Sequence, residues 1–441
     1  MKKALLLCVL AALAIGSLSA NGSQDEMAVE EGKVLNIHCW NTEFQDRFNA
    51  YYADKVPADV TVNWVITPNA DNAYQNKLDE FLLQQENAAA DDKVDIFLVE
   101  ADYALKYVDT PYALDVIGDI GLSESDIANQ YGYTKDIMTD ADGLLKGVSW
   151  QACPGGFIYR RSIAKDVLGT DDPVEVQKAL DSWENFDKVA AQAKAKDYFM
   201  LSGYDDAFRV FSDNMTSKWV EGNKINIDPA IEQWIDMTKT YTEMGYNNKA
   251  NLWSAESWSG AASDGRVFGY YGPGWFVDFC LGPATKADAD GENAIGNGSY
   301  GDWGLVKGPQ GFSWGGTWIV GAAGSDNLTL IKDIMITLTG DEATLKSIAT
   351  EMGDFTNNEK AMAEIGKSDY SNAFLGGQNH ISEFLESAKS IDRSNMSPYD
   401  QGMTEKLMNS FSDYFNGTIS KDKAWDNFYT SVLELYPNLT R

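Results

Sequence analysis

Residues 143–169 read GLLKGVSWQACPGGFIYRRSIAKDVLG, and the fold turns on where this stretch sends the chain. A half-buried strand is expected to end at Val148, with Pro154, Gly155 and Gly156 close behind it. Proline fixes one backbone angle and glycine frees others, so the chain can leave one sheet here and re-aim toward a second. Phe157, Ile158 and Tyr159 form an apolar run short enough for a buried strand, and 160–168 read as a short helix stopped by Gly169. The stretch is read as a hinge between two bodies.

Length agrees with two bodies, since 441 residues exceed what one ordinary core organises. Hydrophobic residues at 44% and aromatics at 12% point to a packed globular chain and away from disorder. The formal charge is −31, two units more negative without Lys2 and Lys3. That balance disfavours nucleic acid and anionic membrane as partners, while an acidic solvated surface is its plainest meaning.

Residues 1–20 read as a secretory signal: Lys2 and Lys3, an apolar run over 4–15, then small residues to Ala20. The run is too short to span a bilayer. Leu18, Ser19 and Ala20 resemble the front of a bacterial lipoprotein box, but Asn21 stands where the lipidated cysteine belongs, so a lipid anchor is not expected. Residues 21–32 are a polar, acidic tether, and the location implied is periplasmic or secreted. Beyond the signal the cysteines are Cys39, Cys153 and Cys280, read as structural thiols with at most one disulfide. With only His38 and His380 and no C-x-x-C pair, neither a zinc site nor a cofactor is expected.

The first body opens with strand, helix, strand, helix, strand. Strands are expected over 34–39, at Val60, Val62, Trp64 and Ile66, and over 94–99. Helices are marked by Phe44, Phe48 and Tyr51 and by Tyr74, Leu78 and Phe81. This order predicts a doubly wound parallel sheet, in which ligands sit beyond the carboxyl ends of strands. That rule singles out Trp40, Asn41 and Glu43 after the first strand, and Glu100, Ala101, Asp102 and Tyr103 after the third.

In the second body, helices are expected from 173, from the Ser182 cap, and over 231–244 up to Gly245. Trp183 shares its helix's apolar stripe and reads as core, while Asp205, Asp206 and Arg209 either reach the cleft or are solvated, the solvated reading being favoured. A strand over 267–271 runs into Gly272, Pro273 and Gly274, which turn Trp275 and Phe276 toward a cleft. Gly-rich 311–316 carries Trp314 and Gly315, and Trp318 reads as half core. Helices over 328–338 and 341–352 and a helical tail ending on Trp425, Phe428, Val432 and Leu435 complete the chain.

The 143–169 stretch resembles the hinge pattern of family 1 extracellular solute-binding proteins of ABC importers, the maltose-binding-like sugar receptors. SWENF (182–186), AASDGRVFGYYGPGW (261–275), and WGLVKGP (303–309) with SWGGTWIV (313–320) resemble further elements of that family in the same order. The resemblance implies an α/β, two-lobed periplasmic binding protein fold of type II, with a ligand cleft between the lobes. The lobes are expected to be 33–150 plus about 303–345, and 151–302 plus about 346–441. A family proline is missing after Gly353, Asp354 and Phe355, which leaves that turn open.

A sugar has apolar faces and a hydroxyl rim, so its site needs flat aromatics with carboxylates and amides around them. The candidate ligand residues are Trp40, Asn41, Glu43, Glu100, Asp102, Trp150, Gln151, Trp275, Phe276, Asp278, Trp314, Gly315 and Tyr399. Tyr399 is included because it lies near a family cleft aromatic. The resemblance implies a monomer that captures a mono- or oligosaccharide by hinge closure and hands it to a membrane permease whose ATPase is a separate chain. The alternatives are a non-sugar solute such as a peptide or polyamine, a secreted glycoside-acting enzyme using two carboxylates, and an adhesion protein. No H-E-x-x-H and no phosphate-binding loop supports an enzyme.

Overall fold

The computed structural model describes residues 32–441. The expected signal segment, the Asn21 position and the tether up to residue 31 lie outside the described residues. Two sheets, each with its own core, carry the fold. The first contains β1 (Val34–Cys39), β2 (Thr61–Ile66), β3 (Ile96–Glu100) and β4 (Val148–Ser149). The second is centred on β5 (Pro154–Arg160), flanked by β6 (Gly269–Pro273), β7 (Trp303–Val306) and β8 (Phe312–Ser313). A last strand, β9 (Thr317–Gly321), returns to the first sheet, giving the order β2-β1-β3-β9-β4.

β1 pairs in parallel with β2 and β3, as a strand-helix-strand repeat requires. β9 runs antiparallel to both β3 and β4, so the sheet is mixed where a purely parallel one was expected. The reason is connectivity: β9 arrives from the second lobe rather than through a right-handed crossover helix. The second sheet is antiparallel throughout. β7 and β8 belong to it, so residues 303–306 and 312–313, which lie in the span expected in the first lobe, pair with β5.

Helices form where the sequence places caps and apolar stripes. Ser182 accepts from the Asn185 N–H at the head of Trp183–Ala195, and Asp172 and Asp228 cap helices that begin with Pro173 and Pro229. Gly169 and Gly245 stop their helices at φ 78° and 69°. In the tail helix Lys421–Leu435, Ala424, Phe428 and Val432 are buried, while Leu435 is exposed.

The chain passes between the lobes three times, and the passages run side by side. In the first, the turn falls on 150–153, with Cys153 at φ 52°, and β5 is already paired from Pro154. Pro154, Gly155 and Gly156 therefore do not make the turn. A Cβ on Gly155 would lie 2.2 Å from the Phe312 ring, so the glycine's role is close packing. The second passage, 313–317, is tied to the first by the Trp314 N–H on the Cys153 carbonyl at 3.1 Å. The third, 352–358, is tied to it by Ala152 N–H on Phe355 O (3.1 Å) and Asn357 N–H on Trp150 O (2.7 Å).

Trp150 sits at this junction but faces the first core. It is 1% exposed and stacked on Phe44, with centroids 5.4 Å apart and planes at 25°. Trp150→Ala is expected to destabilise the first lobe by about 3–5 kcal/mol. Urea unfolding followed by far-UV circular dichroism checks this; a loss below about 1 kcal/mol would contradict the packing described.

Candidate ligand-binding site

The carboxyl ends of β1 and β3 open onto a cavity of about 490 Å³. The first lobe supplies Trp40, Asn41 and Glu43 from the end of β1, Asn69 from the loop after β2, and Glu100, Asp102 and Tyr103 from the end of β3. The second lobe faces them with Arg209, Trp253, Trp275, Phe279 and Cys280. Gln151, Trp314, Gly315, Gly316 and Thr317 come from the passages between the lobes.

The walls are fixed by a few directed contacts. Trp275 donates from Nε1 to the Trp314 carbonyl at 3.2 Å, and its ring meets Trp314 edge-on at 5.1 Å. Trp253, 52% exposed, meets Trp314 at 5.8 Å and stands at the mouth. Trp40 leans edge-on against Tyr74 and Tyr103 at 5.5 and 6.1 Å. Across the cavity, Arg209 grips Asp102 with both terminal nitrogens, at 2.6 Å to Oδ1 and 2.5 Å to Oδ2. The guanidinium also lies 5.6 Å from the centroid of the Trp314 ring. At the back, Gln151 donates to Glu43 at 2.7 Å, and Arg47 pairs with Asp354 at 2.7 Å. One buried network thus joins the first helix to two of the passages.

Residues 44–374 match the family model described as bacterial extracellular solute-binding protein. The chain belongs to that family.

No curated protein matches the sequence of this solute-binding protein. Among solved structures it resembles an extracellular solute-binding protein of family 1, with a TM-score of 0.72, 17% identity, and 91% of this chain and 99% of that chain covered. It also resembles the galacto-N-biose-/lacto-N-biose I-binding protein of the ABC transporter from Bifidobacterium longum (TM-score 0.68, 13% identity, 93% and 100% covered). A third is the sugar-binding protein MalE from Xanthomonas citri (0.68, 14%, 92% and 98%). At these identities the likeness establishes the two-lobed fold. Among the described residues, no helix is long and apolar enough to cross a membrane.

Of the residues singled out in the sequence, the fold brings together Trp40, Asn41, Glu43, Glu100, Asp102, Gln151, Trp275, Trp314 and Gly315 around the cavity. Four lie elsewhere. Trp150 is in the first core, and Phe276 is fully buried in the second. Asp278 turns to a separate polar cavity of about 440 Å³ beside the third passage. Tyr399 packs edge-on against Tyr436 at 5.0 Å, on a helix cap away from the cavity. The segment Phe276–Leu281 is wound as a π-helix, which separates residues that share a face in ordinary helical spacing. This winding buries Phe276 and leaves Phe279 on the cavity.

Sequence reasoning favoured a solvated Arg209 over one in the cleft, and it missed Asn69, Trp253, Phe279, Cys280 and Thr317. Phe279 was within reach, because a helical turn after Gly274 puts it four residues from Trp275. Asp206, also read as solvated, is 1% exposed and accepts from the Ser202 and Gly203 N–H groups. All three described cysteines are free thiols, Cys39 and Cys153 buried.

Burial raises several carboxyls here. Glu100 is pushed up to about 8 by burial, with Asp102 adding to the effect and Arg209 opposing it. Glu43 rises to about 7 by burial despite Arg47, and Asp206 and Asp278 rise to about 7, also by burial. For Asp102 burial acts the same way, but the Arg209 charge outweighs it and holds the carboxyl below its usual range. A raised carboxyl pKa favours the fold below the ordinary values of 4.5 for Glu and 3.8 for Asp, and that contribution is lost as pH climbs through 7 to 8. The melting temperature of the ligand-free protein is therefore expected to fall between about pH 5 and 8.5, with a shallower fall in Glu100→Gln. Thermal melts across that range check this; a rising melting temperature would contradict it.

Proposed function

We propose that this protein captures a carbohydrate between its lobes and delivers it to the membrane permease of an ABC importer. The observation that carries the reading is the placement of tryptophans on both sides of one cavity. Trp40 stands on the first lobe, Trp253 and Trp275 on the second, and Trp314 between them. Flat indoles match the apolar faces of a pyranose, and Asn41, Asn69, Glu43, Glu100 and Gln151 supply polar atoms around its rim. A ligand touching both walls favours the closed arrangement over the open one, which is how such a receptor reports occupancy to a membrane partner. Solved structures of similar fold in complex with β-1,6-galactobiose, acarbose and lacto-N-biose support the same reading.

The chain acts as a monomeric receptor outside the cytoplasm, with residues 1–20 as its export signal. It binds its ligand without altering it.

A thermal-shift panel of mono- and oligosaccharides, with amino acids and diamines as controls, tests the reading. A saturable, concentration-dependent rise in melting temperature with a saccharide that is recovered intact is expected. Trp40→Ala and Trp275→Ala are each expected to weaken that saccharide by about tenfold in calorimetry while the melting temperature of the free protein changes little. Shifts with the controls alone, or recovery of a cleaved sugar, would overturn it.

A further inference from the structure

We infer that the saccharide taken by this protein carries a free amine, and that its ammonium group seats against Glu100; the inference rests on the carbohydrate reading above. The charged side chains lining the cavity are Glu43, Glu100, Asp102 and Arg209. Three of the four already have charged or strong hydrogen-bonding partners within the protein. Both terminal nitrogens of Arg209 are spent on the two oxygens of Asp102. Glu43 accepts from Gln151 at 2.7 Å and lies 3.6 Å from Arg47.

Glu100 is different. Its Oε2 accepts the Asp102 N–H at 2.8 Å, while Oε1 has no hydrogen-bond partner among the described residues. The geometry at Gly315 locates that oxygen: a Cβ there would lie 3.4 Å from Glu100 Oε1 and 3.3 Å from Trp275 Nε1. The free oxygen therefore occupies the same corner of the cavity as the Trp275 indole. Glu100 is itself only partly buried, while in two neighbouring lining residues Asn69 Oδ1 and the Tyr103 hydroxyl are buried without a partner.

A partly buried carboxyl gains from a counter-charge or a donor. Of the two guanidiniums near Glu100, Arg209 is committed to Asp102, and Arg393 donates to Ser313 Oγ and the Gly315 carbonyl, which leaves Oε1 open to a donor from the ligand. A sugar hydroxyl brings one donor and no charge, whereas an ammonium brings a positive charge and three donors for an acceptor such as Glu100 Oε1. The surroundings suit it as well. Trp40, Tyr103, Trp253, Trp275 and Trp314 present aromatic rings around the cavity, and aromatic enclosures stabilise ammonium groups through the negative faces of their rings. Acetylation of the amine removes both the charge and two of the donors.

The ionisable groups facing Glu100 are Asp102 and Tyr103 on its own segment, and Arg209, Arg393 and Cys153 from the segments packed against it. With Glu100 raised to about 8, ammonium binding at neutral pH favours its ionised form and expels a proton. Affinity for the amine therefore increases from about pH 6 to pH 8, and affinity for a neutral sugar does not.

The test is calorimetric titration of the full-length secreted protein with matched mono- and disaccharides, each as free amine, N-acetylated amine and hydroxyl compound. Chitobiose with free amines, N,N′-diacetylchitobiose and cellobiose form one such set; glucosamine, N-acetylglucosamine and glucose another, with the galactose counterparts beside them. Expected are free-amine binding tighter by about tenfold or more, a gap that closes in Glu100→Gln, and in the unaltered protein an amine affinity that rises with pH. Equal or tighter binding of the hydroxyl or acetamido form, a gap that survives in a folded Glu100→Gln, or an amine affinity flat with pH overturns the inference and leaves the carbohydrate reading standing. Binding of simple diamines without any saccharide, or binding of none of these compounds, overturns both.

Discussion

The ion pair between Asp102 and Arg209 sets the distance between the two walls of the cavity, and the other cavity contacts depend on that distance. Asp102 follows the third strand of the first sheet, and Arg209 stands on the short helix Phe208–Ser212 of the second lobe. Each lobe has its own core, so the spacing between them is a separate problem. A two-pronged guanidinium–carboxylate contact solves it with directionality, because both oxygens must be met in one plane. The two side chains are 24% and 29% exposed, which leaves the pair strong enough to orient the walls and weak enough to part. Trp314, lying under the guanidinium, ties this contact to the second passage between the lobes.

Much of the fold was legible in the sequence because its signals are local. The burial of 34–39, the cap at Ser182 and the stops at Gly169 and Gly245 each depend on a few neighbouring residues. What was not legible depends on partners distant in sequence. The antiparallel entry of Thr317–Gly321 follows from where the second lobe releases the chain. The role of Gly155 follows from Phe312, a residue more than a hundred positions away that fills the space beside it. The turn itself falls on Cys153, a residue type that carries no turn signal.

The site divides along the same line. Residues at strand ends, such as Trp40, Glu100 and Asp102, were found because the position of a ligand in an open α/β sheet follows from topology. Trp150 and Phe276 were misplaced because a tryptophan or phenylalanine beside a turn faces either core or cleft, and only packing decides which. Arg209 was passed over because its partner lies in the other lobe. Asn69 and Trp253 sit on loops without periodicity, and no neighbouring residue announces them.

Closure of the two walls around a bound ligand is what links occupancy to a membrane partner. Small-angle X-ray scattering of the protein, free and saturated with the saccharide that raises its melting temperature, measures this directly. A smaller radius of gyration in the saturated sample is the expected result. Identical scattering in both states, with the saccharide demonstrably bound, would contradict it.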